Sequence, residues 1–144
     1  MAYDLVPYLT FNGDAKEAIG FYEEIFGAKA FVTYYGEWPQ EFDNNVPDDI
    51  KDRVMHSELK TEGFSLFFSD QFDSDIPYRV GNAVMLTLTV KTKEEAEDLF
   101  KRLGAGGETI MPFESTSYSP GFAQFSDKYG IHWQVIADMP EEDA

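Results

Sequence analysis

One order of elements occurs twice in this chain: a strand, a helix, then three strands. In the first half, Leu5–Phe11 is apolar and β-friendly and ends at the turn signal Asn12-Gly13. Asp14 then stands at an N-cap position with Glu17 at capping-box spacing. Ala15, Ala18, Ile19, Tyr22, Ile25 and Phe26 follow at helical spacing, and Gly27 closes the helix. Lys29–Tyr35 reads as the next strand. Val54–Thr61 and Phe64–Ser69 form a hairpin around Glu62-Gly63.

The second half repeats the order. Ala83–Val90 is a strand, and Thr92 caps a helix with Glu95 at capping-box spacing. Ala96, Leu99, Phe100 and Leu103 form its apolar stripe, and Gly104 ends it as Gly27 ended the first. Glu108–Phe113, Gly121–Phe125 and Ile131–Ile136 are three further strands, the last pair turned by Tyr129-Gly130. Gly27-Ala28 and Gly104-Ala105 align, as do Tyr22 and Leu99. The turns Gly63 and Gly130 lie closer together, because the first copy carries an extra loop over 36–52.

Each unit alone is a small sheet with one face left bare, so it cannot close a core. The pattern therefore predicts a single α+β domain over residues 1–144, made of two paired βαβββ units. Unit one spans 3–70, a linker rich in Asp, Ser, Pro and Gly spans 71–82, and unit two spans 83–138. The units form a curved mixed sheet with helices outside and a concave inner face.

Composition removes several classes of function. With 11 basic and 27 acidic residues the net charge is −16, which repels a phosphate backbone and an anionic membrane surface. There is no basic stripe, so neither nucleic acid nor membrane is an expected partner. The acids gather in the 36–52 loop, the 70–75 stretch and the tail, which points to solvation. With no cysteine there is no thiolate nucleophile, thiolate metal site or disulfide. The N-terminus lacks a basic region and a small-residue cleavage site, and apolar runs are too short to span a bilayer. A cytoplasmic location is expected. Aromatics are abundant, with Phe 13, Tyr 8 and Trp 2, more rings than a small core requires.

The duplicated unit resembles the plan of the vicinal oxygen chelate superfamily, which includes glyoxalase I, extradiol dioxygenases and bleomycin-resistance proteins. Finer motifs resemble its PhnB-like branch. They are Pro7-Tyr8-Leu9-x-Phe11, Ala18-Ile19-x-Phe21-Tyr22, Phe26-Gly27-Ala28, Met55-His56-x-Glu58-Leu59, Ser69-Asp70, Gly106-Gly107, Met111-Pro112 and Asp127-Lys128-Tyr129-Gly130-x-x-Trp133. The resemblance runs over residues 5–137 and implies a homodimer with a small-molecule ligand. Metal-using members take His and Glu ligands from the first and fourth strands of each unit. The corresponding positions here are Pro7, Phe67, Met85 and Gln134. Proline and phenylalanine have no donor, methionine is too soft for a hard ion, and only Gln134 could coordinate. No metal or other cofactor is therefore expected at those positions. Related sequences also carry a ubiquinone-pathway methyltransferase label, but the chain has no glycine-rich strand-to-helix turn for S-adenosylmethionine.

Other residues could carry chemistry. On alternating strands His56 and Glu58 share a face opposite Leu59, and His132 and Gln134 share one opposite Trp133. These four read as polar residues lining a wet groove, as ligand contacts, or as a displaced acid–base or metal site. Phe64, Phe67, Phe68, Phe113, Phe122, Phe125, Trp38 and Trp133 are mainly core material. Phe67 and Met85 stand where ligands of a metal site would point inward and suit an apolar or aromatic guest, with Tyr34 or Trp38 closing over it. Ser115-Thr116-Ser117 has no adjacent base. Gly104-Ala105-Gly106-Gly107 ends a helix instead of opening one, so it is no phosphate cradle.

The preferred expectation is a protein that binds a small, partly apolar or aromatic molecule without the usual metal site. His56, Glu58, Phe67, Met85, Thr87, His132, Gln134 and Trp38 are its candidate contacts. One alternative is a lyase, isomerase or dioxygenase using a displaced site around His56, Glu58 and His132. The other is a dimer or partner-contact module with a vestigial cavity.

Overall fold

The computed structural model describes residues 2–37, 46–73 and 75–140. The chain divides into two compact units, Met1–Tyr78 and Arg79–Ala144. The first contains β1 (Tyr8–Phe11), α1 (Ala15–Phe26), β2 (Ala30–Tyr34), β3 (Val54–Lys60) and β4 (Ser65–Asp70). The second contains β5 (Leu86–Val90), α2 (Lys93–Leu103), β6 (Glu108–Thr116), β7 (Ser119–Ser126) and β8 (His132–Ala137). Each unit is thus strand–helix–three strands, as the sequence pattern predicts, and the fold is α+β. Short 3-10 turns form at Tyr35–Glu37 and Asp48–Ile50.

Each unit holds one four-stranded mixed sheet, ordered β1-β4-β3-β2 and β5-β8-β7-β6. The outer pair, β1 with β4 or β5 with β8, is parallel and the rest are antiparallel. Period-two alternation then divides each sheet into two faces. In the first unit Leu9, Phe11, Leu59, Leu66 and Phe68 are buried on the helix side. Tyr22 of α1 stacks on Phe68 with ring centroids 5.7 Å apart. Burying each such side chain stabilises by about 1.5–3 kcal/mol. In the second unit Trp133, Val135, Ala123 and Phe125 play that part, and Phe100 of α2 meets Phe125 edge-on at 5.3 Å.

Several local expectations change. The first strand is shorter than Leu5–Phe11, because Leu5 is 97% exposed and pairing begins at Tyr8. Strands β6 and β7 are longer than expected, closing at a turn around Ser117 and Tyr118. Asp14 makes no side-chain cap, so the expected capping box at α1 does not form. The amides of Gly13 and Ala15 instead donate to Asp70 Oδ1 at 2.7 and 3.0 Å, and Val54 N donates to Oδ2 at 2.9 Å. Asp70 is 1% exposed, so it is an internal clamp and not one of the solvating acids. At α2 the expectation holds: Thr92 Oγ1 accepts from Glu95 N at 3.1 Å.

Gly27 closes α1 in the left-handed region at φ 66°, whereas Gly104 closes α2 in the right-handed region. The positive φ falls instead on Gly106. Beside it, Gly107 packs so closely on β7 that a Cβ there would run into the Ser126 carbonyl. The Gly-rich stretch is therefore packing and turn chemistry.

Candidate functional site

The sheet face turned away from α1 gathers titratable and aromatic side chains. Pairing register places Tyr8 opposite Phe67 and Glu58 opposite Phe67 on its other side. His56, two residues from Glu58, shares this face and pairs with Thr33 of β2. The three rings form a triangle: Tyr8 to His56 5.7 Å, Tyr8 to Phe67 6.3 Å, and His56 to Phe67 5.4 Å between centroids. Phe67 stands edge-on to Tyr8 at 88° and steeply tilted to His56 at 70°. The Tyr8 hydroxyl lies 3.1 Å from His56 Nδ1, and His56 Nε2 lies 3.0 Å from Glu58 Oε2. Lys60 Nζ stands 3.7 Å from the other oxygen of Glu58. Tyr8 is 48% exposed, while His56, Glu58 and Phe67 are half-buried.

The corresponding face of the second unit is different. Gln124 Nε2 donates to Gln134 Oε1 at 2.6 Å, and Gln134 Nε2 donates to Thr87 Oγ1 at 3.3 Å. These residues form one row across β7, β8 and β5, in register. The row is neutral, and its members partner one another. His132 opens β8 opposite Ser126, at the far end of the strand from Ile136. It lines an open groove of about 390 Å³ with Val80, Gly81, Gly107, Glu108 and Lys128.

The sequence-predicted residues therefore separate. His56, Glu58 and Phe67 come together in the first unit, and Thr87 and Gln134 in the second. Met85 lies just before β5, and Trp38 lies outside the described residues. The alignment that placed Pro7 and Met85 on the first strands needs correction. The residue paired with Phe67 is Tyr8, and the one paired with Gln134 is Thr87. Pro7 precedes the strand and contributes its carbonyl, which accepts from Phe67 N at 3.0 Å. Sequence reading passed over Tyr8 and Gln124, although each belonged to a strand whose alternation could have placed it on this face.

These register positions test the metal site implied by the superfamily plan. In the first unit they offer a phenol and a phenyl ring. In the second they offer a hydroxyl and an amide already hydrogen-bonded to each other. Among the described residues, no group of three or more His, Asp or Glu side chains is placed to hold a metal ion. The donor set at these positions does not suit a divalent ion, which favours charged carboxylate or imidazole ligands in an open set.

Beneath the face, Tyr35 donates its hydroxyl to the Asp70 carbonyl at 2.9 Å. Burial pushes its phenol above the usual value, with the charges of Tyr8 and Asp70 adding to the rise and Arg53 opposing it. Asp127 organises the last turn of the second unit. Its Oδ1 accepts from Tyr129 N and Ile131 N, and Oδ2 accepts from Trp133 Nε1 at 2.8 Å. The expected turn at Tyr129-Gly130 is thus also tied to a core tryptophan.

Comparison with known proteins agrees with this architecture. The sequence profile of the family described as 3-demethylubiquinone-9 3-methyltransferase matches residues 3–136. Protein YjdN of Escherichia coli (strain K12) is 28% identical over 138 residues, covering 91% of this chain and 92% of its own. The crystal structure of protein PA1353 from Pseudomonas aeruginosa is 33% identical with a TM-score of 0.85, covering 96% of this chain and 100% of that one. The PhnB protein from Bacillus cereus has a TM-score of 0.73 at 25% identity, covering 94% and 99% of the two chains. A glyoxalase/bleomycin resistance protein/dioxygenase domain from Frankia sp. EAN1pec shares the fold, with a TM-score of 0.61 at 16% identity over 96% and 99% of the chains.

The methyltransferase description raises S-adenosylmethionine as a cofactor. A dinucleotide-type or methyl-donor site at a strand-to-helix turn needs free helix N-terminal amides. Here the amides at the start of α1 are taken by Asp70, and Glu95 N at the start of α2 is taken by Thr92. The residues at these turns do not fit such a cradle.

Proposed function

The chain belongs to the PhnB-like family described as 3-demethylubiquinone-9 3-methyltransferase, and from that premise we propose that it binds a small, partly aromatic molecule on the first unit's open sheet face. The observation that carries this reading is the ring triangle of Tyr8, His56 and Phe67, edged by the Glu58 carboxylate. An apolar ring at Phe67 gives a flat guest dispersion and edge contact. Tyr8, His56 and Glu58 supply the few polar groups that orient it, the usual composition of a small-molecule site. The proposal needs no metal, and it gives the second unit's amide row no part in recognition. It keeps the expectations of a cytoplasmic homodimer, of which light scattering at two protein concentrations tests the second.

A thermal-shift and calorimetric screen of aromatic metabolites and glycopeptide drugs tests the reading. A binder at a hundred times its dissociation constant stabilises the folded state by about 2.7 kcal/mol. Phe67→Ala should weaken such a binder about tenfold or more, while Gln134→Ala should change it less than about twofold. Equal losses from the two variants, or no stabilising compound, would sink the proposal. So would a tight stoichiometric ion after incubation with Ni, Zn, Mn or Fe(II).

A further inference from the structure

We infer that Tyr8, His56 and Glu58 form a directed proton relay whose ligand end is the Tyr8 oxygen, and that the site therefore takes an acidic phenol or enol. The inference rests on the binding face proposed above and names the class of molecule it receives. The direction follows from donor and acceptor chemistry. A carboxylate has no proton to give, so the contact between Glu58 Oε2 and His56 Nε2 at 3.0 Å requires the proton on Nε2. The Lys60 ammonium stands 3.7 Å from the second Glu58 oxygen. In a neutral imidazole with Nε2 protonated, Nδ1 is an acceptor. The Tyr8 hydroxyl at 3.1 Å then donates to it. Its proton is committed inward, and the phenolic oxygen of this half-exposed residue presents only lone pairs to an incoming molecule.

Two consequences follow. Recognition at Tyr8 favours a ligand O–H donor over an ether or a ketone, which would meet lone pair against lone pair. Proton movement is also possible without any other reagent. The ligand O–H bond breaks as its proton passes to the Tyr8 oxygen, while the Tyr8 O–H bond breaks as that proton passes to His56 Nδ1. The ligand is left as a bound oxyanion, Tyr8 is unchanged, and His56 is an imidazolium held by Glu58. Charge and atoms balance, and no electron leaves the system. Tyr8 is the residue that touches the ligand, whereas His56 and Glu58 act through it as positioning residues. The register counterparts in the second unit are Thr87, Phe122 and Gln124, none of which can take a proton, so the relay belongs to the first unit alone.

Two measurements on the full chain test the relay. Long-range proton–nitrogen NMR of the ligand-free protein, with His56→Asn to assign the two histidines, should show neutral His56 protonated on Nε2. Glu58→Gln, whose amide can donate to Nε2, should shift the ring toward the Nδ1 tautomer. A wild-type ring protonated on Nδ1, or a tautomer indifferent to Glu58→Gln, overturns the relay. The second measurement compares 4-nitrophenol with 4-nitroanisole, which has the same ring and no proton to give. The phenol should bind about tenfold more tightly and show its phenolate absorption on binding in mildly acidic buffer. Tyr8→Phe should abolish both differences. Equal binding of the two probes without phenolate absorption overturns the relay and leaves the aromatic face standing. Binding of neither probe at millimolar concentration overturns both.

Discussion

At matched register positions the two sheets carry different chemistry on one backbone plan. Tyr8, Phe67, Glu58 and His56 in the first unit correspond to Thr87, Gln134, Gln124 and Phe122 in the second. The first set has a phenol, an imidazole and a carboxylate in contact, with the half-buried Phe67 ring beside them. The second spends its polar atoms on a closed row of neutral side chains. On the helix sides both sheets remain apolar. Duplication therefore leaves the packing requirement common to both copies and the open face free to diverge, because a residue there is not held by the core.

The helix starts differ in the same instructive way. α1 is capped by Asp70, a buried carboxylate from the end of β4, whereas α2 is capped by its own Thr92. Breaking each cap gives the largest expected contrast. Asp70→Ala strands three amides in the first unit and should cost about 3–5 kcal/mol. Thr92→Ala removes one partly exposed bond and should cost about 1 kcal/mol. Urea unfolding midpoints measure both, and losses of similar size would erase the distinction between a distant and a local cap.

Tyr35 extends the contrast to alkaline pH. Its raised phenol means the folded state holds that proton more tightly than the unfolded chain does. The contribution is whole below the unfolded phenol value of about 10 and is lost as pH rises from there through the folded value. Tyr35→Phe should cost about 1 kcal/mol at neutral pH by deleting the bond to the Asp70 carbonyl. Stability followed from neutral to alkaline pH should then fall less steeply in the variant, and parallel curves would refute the assignment.

The smallest effect concerns Ser57, whose counterpart in the second sheet is Ala123. Both are fully buried, and the Ser57 hydroxyl has no hydrogen-bond partner among the described residues. Making the first sheet like the second with Ser57→Ala should raise stability by about 0.5–1 kcal/mol. A measurable loss in chemical denaturation would show that the hydroxyl is satisfied in solution.

Much of the architecture was legible because it is written in local periodicity. The 3.6-residue stripe of α1, the alternation along β3 and β8, Gly27 after the first helix and Thr92 before the second each depend on neighbours within a turn or two. Alternation alone also put His56 with Glu58, and His132 with Gln134, on shared faces. It could not tell that His132 pairs with Ser126 at a strand end while His56 meets Tyr8 and Phe67.

By itself the sequence determined the two-copy order of elements and the absence of cysteine chemistry. Those are matters of residue type and short spacing. Only the tertiary structure decided that Tyr8 and not Pro7 faces Phe67, that Thr87 and not Met85 faces Gln134, and that Asp70 clamps α1. The first two depend on hydrogen-bond register between segments far apart in the chain, where a slip of one residue turns every side chain to the other face. The third depends on a side chain that reaches amides distant in sequence.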